Sequence, residues 1–399
     1  MLGAMGQPTT PTAAVPLPAT AVRLGWTSFL TDLGSEMVAP LLPMLLSGFP
    51  VASAVWIGAI EGGADGLASV LKRFSGRWSD RLRRRKPLVV AGYGLAGAVR
   101  PLMALATAPW HVLAIRLTDR VGKGLRSAPR DALLADCAPS GREGRVFGFQ
   151  RAMDHAGAVL GPLVAALLLE LHWPLAWVFA LTIVPGVLAV AMVAGIVEPA
   201  RAVQTKPVNS DRSQPAQLPA KLRSFVGIAA LFALGNSPDV LILLRALELG
   251  APASALPLLW SGLHVVKVVA SRYGGMWADR VPKVRVVLAG WAVYALCYLG
   301  FAVCTEVAHV AAVLAVYGVY HGLCEPAERA LVKELAPPDQ RGQAYGAFHM
   351  ATGLAALPAG LAAGWLWQEA GAGAALGLGA AVAVVSGVGL VVWQRRWER

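Results

Sequence analysis

Four acidic residues stand inside long apolar segments, where an ionised side chain is costly. Asp32 and Glu36 are four positions apart, and so are Glu61 and Asp65, so each pair lies on one face of a helix. A charge near the centre of a bilayer costs about 2.5–3.5 kcal/mol even on a lenient insertion scale, and it therefore faces a partner or a cavity. A buried carboxylate near others can take up a proton at accessible pH. These acids are candidates for proton coupling or for binding a substrate ion.

Basic residues of another apolar segment reach the same depth. Arg116, Arg120 and Lys123 lie on one side of a helix that also carries Asp119. Opposite the four acids they form either a network that handles protons and substrate ions or a set of structural ion pairs within one bundle. If all three cations pair, one of the four acids is left without a positive partner, and that acid is the expected coupling carboxylate.

Three further segments add ionisable residues. Arg151 and Asp154 lie in the fifth segment, and they either serve transport or pair structurally with the other half of the chain. Lys267 lies near mid-depth, where its amine either binds an anionic substrate or is balanced by a carboxylate. Asp239 and Glu325 lie further from the centre and are gates or ordinary polar residues of helix ends. Glu325 is kept as a candidate for coupling.

A metal site is the weakest of these possibilities. His321, Cys324, Glu325 and Glu328 are spaced to share one face of a helix, but they make no complete tetrahedral ligand set. We therefore expect no metal and no other cofactor. The chain has no GxxxxGK[ST] nucleotide-binding signature and no convergent nucleophile and base, so we do not expect an enzyme.

The composition of the chain indicates that membrane-spanning segments position these residues. Hydrophobic residues make up 56% of the 399 positions and charged residues 15%, against about 25% charged residues in soluble domains. Apolar segments long enough to cross a bilayer recur twelve times. We expect them at 23–48, 53–74, 87–107, 110–131, 145–170, 174–197, 224–247, 256–277, 284–305, 308–332, 343–367 and 371–393.

Basic residues alternate between the predicted loops. The second–third loop holds Arg81 and Arg84 and the eighth–ninth holds Arg280, whereas the intervening loops offer Glu170 and Glu306. The net charge of +12 therefore reflects cytoplasmic loops rather than nucleic-acid binding. We expect a multi-pass protein of a bacterial inner membrane with both termini in the cytoplasm. Its predicted parts are a disordered tail (1–21), a six-helix bundle (22–197), a linker (198–223), a second six-helix bundle (224–394) and a short tail (395–399).

The two halves repeat one another. RFSGRWSDR, which ends at Arg81, matches RYGGMWADR, which ends at Arg280, with an offset of 199 positions. Further matches downstream have an offset of 198, as between Arg145 of RVFG and Gln343 of QAYG. Parallel repeats of this kind occur in transporters with two six-helix bundles around a midplane site.

The repeated loop carries a resemblance to a known family. Gly76, Asp80, Arg81 and Arg84 resemble the signature Gly-x-x-x-Asp-Arg/Lys-x-Gly-Arg-Arg/Lys of the major facilitator superfamily, with Arg83 in place of its second glycine. Gly275, Asp279 and Arg280 form the partial copy that the family also has. The resemblance implies an all-α membrane fold of two six-helix bundles related by a pseudo-two-fold axis. It also implies that Asp80 helps to latch one state of an alternating-access cycle.

A second resemblance concerns the direction of transport. Gly157, Gly161 and Pro162 are similar to the Gly-x-x-x-Gly-Pro part of a signature of proton-coupled antiporters, although residues 164–166 lack its trailing glycines. The segments TDLGSEMVAPLLP and DRVGKGLRSAPRDALLAD resemble a poorly characterised bacterial branch of the same superfamily.

Together these observations predict a secondary active transporter that exports a small molecule in exchange for protons. Proton-coupled uptake of a small organic metabolite is the alternative, and a non-transporting membrane sensor is a third possibility. The expected partners are a small-molecule substrate, protons and the bilayer, without nucleic acid, and the expected state is a monomer. The substrate itself is not readable from these residues.

The predicted topology can be tested at the linker. We expect a cysteine introduced at Ser210 to resist an impermeant thiol reagent in intact cells and to react after permeabilisation, because the basic loops place the linker in the cytoplasm. Labelling of position 210 in intact cells would refute this topology.

Overall fold

The computed structural model describes residues 16–47, 54–82, 84–198, 217–252 and 255–398. Within these ranges it leaves undescribed the side chains at 40, 43, 44, 47, 54–65, 240, 257 and 398. Most of the predicted N-terminal tail and of the linker therefore lies outside the described residues. Helices begin at Ala19 and at Ala220, slightly inside the ranges predicted as tail and linker.

The first half of the chain consists of eight helical pieces. They are α1 (Ala19–Val38), α2 (Leu42–Ser47), α3 (Ala54–Arg81), α4 (Lys86–Val99), α5 (Pro109–Cys137), α6 (Glu143–Glu170), α7 (Leu175–Leu181) and α8 (Ile183–Ala194). Short 3₁₀ turns continue α1 into α2 and extend α4 to Leu105. Because α8 follows α7 with a single residue between them, these two pieces form one crossing, and the described pieces make six crossings.

The second half repeats this arrangement. Its helices are α9 (Ala220–Gly235), α10 (Val240–Glu248), α11 (Leu256–Arg280), α12 (Lys283–Val303), α13 (Val307–Leu335) and α14 (Arg341–Glu398). Gly371 divides α14 into two crossings, because its φ of 84° and ψ of 169° cannot belong to a helix. The described residues thus form twelve crossings without a strand, and the predicted fold class is confirmed. The last helix runs through most of the tail predicted at 395–399.

Apolar character alone accounts for only part of this count. Among the described residues, six helices are long and apolar enough to cross a membrane by length and composition, and the longest of these covers both crossings of α14. The helices outside this set include α1 and α5, which carry the ionisable residues described below. These helices place buried charges such as Arg116 and Asp119 inside the protein rather than against lipid.

The two bundles meet along two equivalent pairs of helices, α3 with α14 and α6 with α11. At the first pair a Cβ on Gly76 would collide with the backbone of Gly342, and at the second a Cβ on Gly275 would collide with that of Gly144. These contacts lie at the end of the molecule where α8 ends and α9 begins, which we call the linker side. The repeated glycines therefore allow the backbones of the two bundles to approach closely there.

We expect Gly275→Ala to weaken closure of the linker side, because the added methyl group has no space against Gly144. Overpacking of this kind costs about 1–3 kcal/mol. The apparent melting temperature of the purified protein should fall. Gly262→Ala is the matched control, since it lies in the same helix and a Cβ there would meet nothing within 4 Å. Equal melting temperatures for the two variants would contradict the close-approach argument.

Candidate functional site

Asp32 and Glu36 occupy one face of α1, half-buried within the first bundle. The electrostatic neighbours of Asp32 are Asp154, Glu36, Lys123 and Arg126. Among the side chains that the structure describes, neither Asp32 nor Glu36 has an ion-pair partner within 4 Å. The two acids thus lie near cations without being neutralised by direct contact with one of the described groups.

The Gly-Pro element of α6 packs directly against these two acids. A Cβ at Gly157 would lie 3.1 Å from the Cβ of Asp32, and one at Gly161 would lie 2.8 Å from the Cβ of Glu36. The glycines are therefore required for α1 and α6 to touch at the level of the carboxylates. The acids of α1 and the glycines of α6, which are 125 positions apart in the sequence (157 − 32 and 161 − 36), are therefore in contact in the fold.

The other predicted members of the first-bundle network belong to α3 and α5. Glu61 and Asp65 belong to α3, but their side chains lie outside the described residues. On α5, Arg116 is buried and Arg120 Nη1 lies 3.7 Å from Asp119 Oδ2. Lys123 is an electrostatic neighbour of both Asp32 and Glu36.

An arginine that the sequence did not single out completes this region. Arg100, at the end of α4, is buried and donates from Nε to Asp119 Oδ1 at 2.8 Å and from Nη1 to the carbonyl of Thr31 at 2.6 Å. It ties α4, α5 and α1 together, and its contact on α1 is the carbonyl of the residue that precedes Asp32. Arg100 lies within the apolar segment predicted at 87–107, so the rule that singled out the acids, a charge inside such a segment, could have found it.

Charges of alternating sign connect the two bundles at mid-molecule. Arg151 Nη1 lies 2.6 Å from Asp154 Oδ2, and Arg151 Nε lies 2.9 Å from Glu325 Oε2 of the second bundle. Arg329 Nη1 lies 3.7 Å from Glu325 Oε2, and its Nε lies 3.5 Å from Asp131 Oδ2 back in the first bundle. We call Asp131, Arg151, Asp154, Glu325 and Arg329 the interface network. Of the two alternatives for Arg151, pairing across the interface is therefore present.

Lys267 is balanced by a carboxylate. Its Nζ lies 3.1 Å from Asp239 Oδ2, and Asp239 also accepts a hydrogen bond of 2.8 Å from the hydroxyl of Tyr317. Asp239 stands in the break between α9 and α10, beside Pro238, so the interruption of the helix carries this acid to the lysine. His321 joins the pair to the interface network, with Nε2 3.8 Å from Asp239 Oδ2 and Nδ1 3.3 Å from Glu325 Oε1.

His321, Cys324, Glu325 and Glu328, which the sequence places on one face of a helix, contact different neighbours in the fold. His321 and Glu325 face the interface, whereas Cys324 Sγ packs on α12, 3.8 Å from the carbonyl of Val287. Glu328 likewise turns to α12, where it accepts a hydrogen bond from Trp291 Nε1 at 3.3 Å. Because α13 packs against α12 as well as against the first bundle, side chains from one broad face of the helix reach different partners. Among the described residues no His, Cys, Asp and Glu cluster could hold a metal ion.

At the linker side, each bundle caps a helix of the other. Asp80, at the end of α3, accepts hydrogen bonds from the backbone amides of Gly342 (3.1 Å) and Gln343 (2.7 Å) at the start of α14. Asp279, at the end of α11, accepts from Gly144 (2.6 Å) and Arg145 (2.8 Å) at the start of α6. A carboxylate at a helix N-terminus satisfies free amides and the helix dipole. The other basic residues of the signature, Arg81, Arg84 and Arg280, are exposed.

An ion pair between the bundles lies beside each of the two caps, but the acid and the base exchange places between the two pairs. Asp136 of the first bundle pairs with Arg341 at 2.7 Å and with the fully buried Arg85 at 2.9 Å. In the other half, Lys333 pairs with Glu143 at 2.9 Å. The acid therefore stands on α5 in one contact and on α6 in the other.

Some contacts across the interface join residues at matching positions of the two repeats. Asp131 and Arg329 are 198 positions apart, and so are Phe147 and Tyr345, whose ring centroids are 6.0 Å apart. His349 Nε2 adds a hydrogen-bond contact of 2.7 Å to Asp131 Oδ2. The pseudo-two-fold axis therefore passes close to these side chains.

Glu198, which lies outside the helices, binds the loop between α3 and α4. Glu198 accepts hydrogen bonds from the backbone amides of Arg85 (2.6 Å) and Lys86 (3.3 Å), and so caps the start of α4. Burial raises the pKa of Glu198 above its ordinary value, and the hydrogen bond from Lys86 opposes that shift. The contact fixes the chain where it leaves α8 for the linker.

Comparison with known proteins places these features in context. The profile of the Major Facilitator Superfamily matches residues 24–238 and 224–397. An uncharacterized MFS-type transporter of Methanocaldococcus jannaschii is 32% identical over 357 residues, which cover 86% of this chain and 87% of that one. The multidrug resistance protein MdtH of Proteus mirabilis is 32% identical over 146 residues, which cover 36% of this chain and 35% of that one.

The fold also matches a solved structure. The crystal structure of the human organic anion transporter MFSD10 superposes with a TM-score of 0.78 at 17% identity, covering 93% of this chain and 99% of that one. At this identity the likeness concerns the fold alone.

We expect Asp80→Asn and Asp279→Asn each to open the linker side while leaving the protein folded. Asparagine keeps the shape of the cap but loses the charge, which is worth about 0.3–2 kcal/mol at a helix N-terminus. Distances between spin labels at positions 82 and 285, measured in a background without native cysteines, should lengthen. Transport rates of Asp80→Asn should fall. Unchanged distances and wild-type rates would show that the caps do not hold the bundles together.

Proposed function

We propose that this chain, which belongs to the major facilitator superfamily, is a proton-coupled secondary transporter that exports a small molecule by alternating access. The family makes the chain a transporter and not an enzyme. We further propose that it acts as a monomer in a bacterial inner membrane, with the linker side in the cytoplasm.

The observation that carries proton coupling is the placement of Asp32 and Glu36. Asp32 lies within α1 and Glu36 in its last turn, and both lack an ion-pair partner among the described side chains. A buried carboxylate in that position is neutralised most simply by a proton. Arg151, Asp154, Lys267 and Glu325, by contrast, have direct partners of opposite charge and serve first as connections.

A route for coupling runs from Asp32 to the interface. Asp32 and Asp154 are electrostatic neighbours, and Asp154 is tied through Arg151 to Glu325 of the second bundle. A proton on Asp32 removes its repulsion of Asp154 and so changes how firmly Asp154 and Arg151 are held together. A change in that pairing alters a contact between bundles that must rearrange when they rock. Protonation is thereby linked to the conformational equilibrium.

Two observations support export. The Gly157–Pro162 element of antiporters packs on the two candidate acids, and part of the chain is similar to the multidrug resistance protein MdtH. Uptake by symport is the second candidate, because the same carboxylates can couple a proton moving with the substrate. The balanced pair of Lys267 and Asp239 gives no separate argument for an anionic substrate.

The experiment begins with a screen of drugs and metabolites for gradient-driven accumulation in everted membrane vesicles. With a substrate in hand, Asp32→Asn and Glu36→Gln are compared in proteoliposomes for proton-driven transport and for counterflow. We expect at least one of them to abolish proton-driven transport but to keep counterflow, because exchange needs no net proton movement. Glu306→Gln, an exposed acid at the start of α13, is the matched control.

Other outcomes are equally informative. If both variants keep full proton dependence, the coupling group is not on α1, and Glu61, Asp65, Asp154 and Glu325 become the candidates to test. Loss of folded protein without a change in coupling would assign Asp32 and Glu36 a structural role. Accumulation in right-side-out vesicles instead of everted ones would favour the symport alternative.

A further inference from the structure

A groove with basic and apolar walls opens on the linker side between the two bundles. Its volume is about 550 Å³, and it is formed by α3 of the first bundle and by α9 and α14 of the second. Arg73, Arg77 and Arg223 line it together with Ala347 and Met350, and its described lining contains no acidic residue. The groove is separate from the acids of α1 and from the interface network.

The arginines of this groove are incompletely satisfied by the protein. Arg73 and Arg77 are four residues apart on one face of α3, so their like charges repel. Arg73 donates to the carbonyl of Gln343 at 3.3 Å, and Arg223 to the side chain of Gln217 at 3.1 Å, which are both neutral acceptors. Arg77 Nε is buried and has no hydrogen-bond partner among the described residues. None of the three arginines has an acidic partner among the described residues, and an anion in the groove would supply one.

The second repeat shows that Arg77 is not required by the fold. Arg73 has its counterpart in Arg272, but Met276 stands where the first repeat has Arg77. The same helix position, next to the same capping signature, is therefore compatible with an uncharged residue. A binding role explains a second arginine in the first repeat only.

The shape of the groove favours an amphiphile over a small soluble anion. Val226, Ala347, Met350 and Ala351 continue its wall beyond the arginines, and an apolar wall offers nothing to inorganic phosphate. The linker itself is a poor occupant, because residues 199–216 contain three basic residues and one acid. Basic pockets between membrane helices near the cytoplasmic surface suit anionic lipid headgroups.

We propose that this groove binds an anionic phospholipid, with its phosphate on Arg73, Arg77 and Arg223 and an acyl chain along Ala347 and Met350. Because the groove joins α3 to α9 and α14, the bound lipid holds the linker-side ends of the bundles together. The proposal concerns regulation of the conformational equilibrium and does not depend on the direction of transport or on the coupling residue.

Binding is tested on the full-length protein in detergent micelles with dioleoyl-phosphatidylglycerol, and with dioleoyl-phosphatidylcholine as the zwitterionic comparison. Native mass spectrometry should show preferential retention of the anionic lipid, and the apparent melting temperature should rise more with it. Arg73→Gln/Arg77→Gln should weaken retention about tenfold or more, since hydrogen bonds to a charged group are removed. Equal retention of the two lipids by the native protein would overturn the proposal.

Two further variants distinguish lipid binding in this groove from attraction of the lipid by positive charge elsewhere on the protein. Arg272→Gln removes the matching arginine of the second repeat, which does not line the groove, and should leave retention unchanged. Arg77→Met copies the residue that the second repeat tolerates and keeps the test informative if the double variant does not fold. Retention by Arg77→Met equal to that of the native protein would contradict the assigned role of Arg77.

The source of the anion and its effect on conformation are tested separately. Glycerol 3-phosphate, which carries the phosphate without acyl chains, should not raise the melting temperature at the same concentration, and an equal rise would replace the lipid by a soluble anion. In nanodiscs, the distance between labels at positions 82 and 285 should shorten with the anionic lipid in the native protein and not in Arg77→Met. An unchanged distance would refute the effect on closure.

Discussion

An ionised side chain inside hydrocarbon must be compensated by a neighbour, and most polar contacts of this molecule follow from that requirement. Arg100 meets it with Asp119, and Lys267 meets it with Asp239. Each pair ties together helices that apolar packing alone would leave free to slide. Removing one partner of a buried pair typically costs about 3–5 kcal/mol, because the remaining charge is then uncompensated. Each pair therefore resists separation of the elements that it joins within its bundle.

The contacts between bundles are of two kinds. At the linker side, Asp80 and Asp279 bind backbone amides, which are dipoles rather than full charges. Ion pairs such as Arg151 with Glu325 and Asp136 with Arg341 also cross the interface. Both kinds of contact must break and reform if the two bundles rock against each other, so the caps and the crossing ion pairs together set the stability of the closed linker side.

The sequence predicts much of this arrangement and misses an identifiable part. Hydropathy and the internal repeat together are sufficient to predict twelve crossings in two bundles, because both can be read from the sequence without knowing which helices are neighbours. The capping position of Asp80 is also readable, because an isolated acid in a basic loop has few other uses. The ion pair between Lys267 and Asp239 cannot be read from the sequence, because it depends on the break between α9 and α10. The role of Arg100 and the divergence of Cys324 from Glu325 depend on which neighbouring helix lies beside each face.

Contact between matching residues sets a limit on how alike the two halves can be. Asp131 and Arg329 occupy the same repeat position and lie 3.5 Å apart. If both halves carried aspartate at this position, two carboxylates would face each other. If both carried arginine, two guanidinium groups would face each other. A chain built from two copies of either half would therefore repel itself where it must close. Internal duplication can supply this architecture, but divergence at the axis is a condition for its closed state.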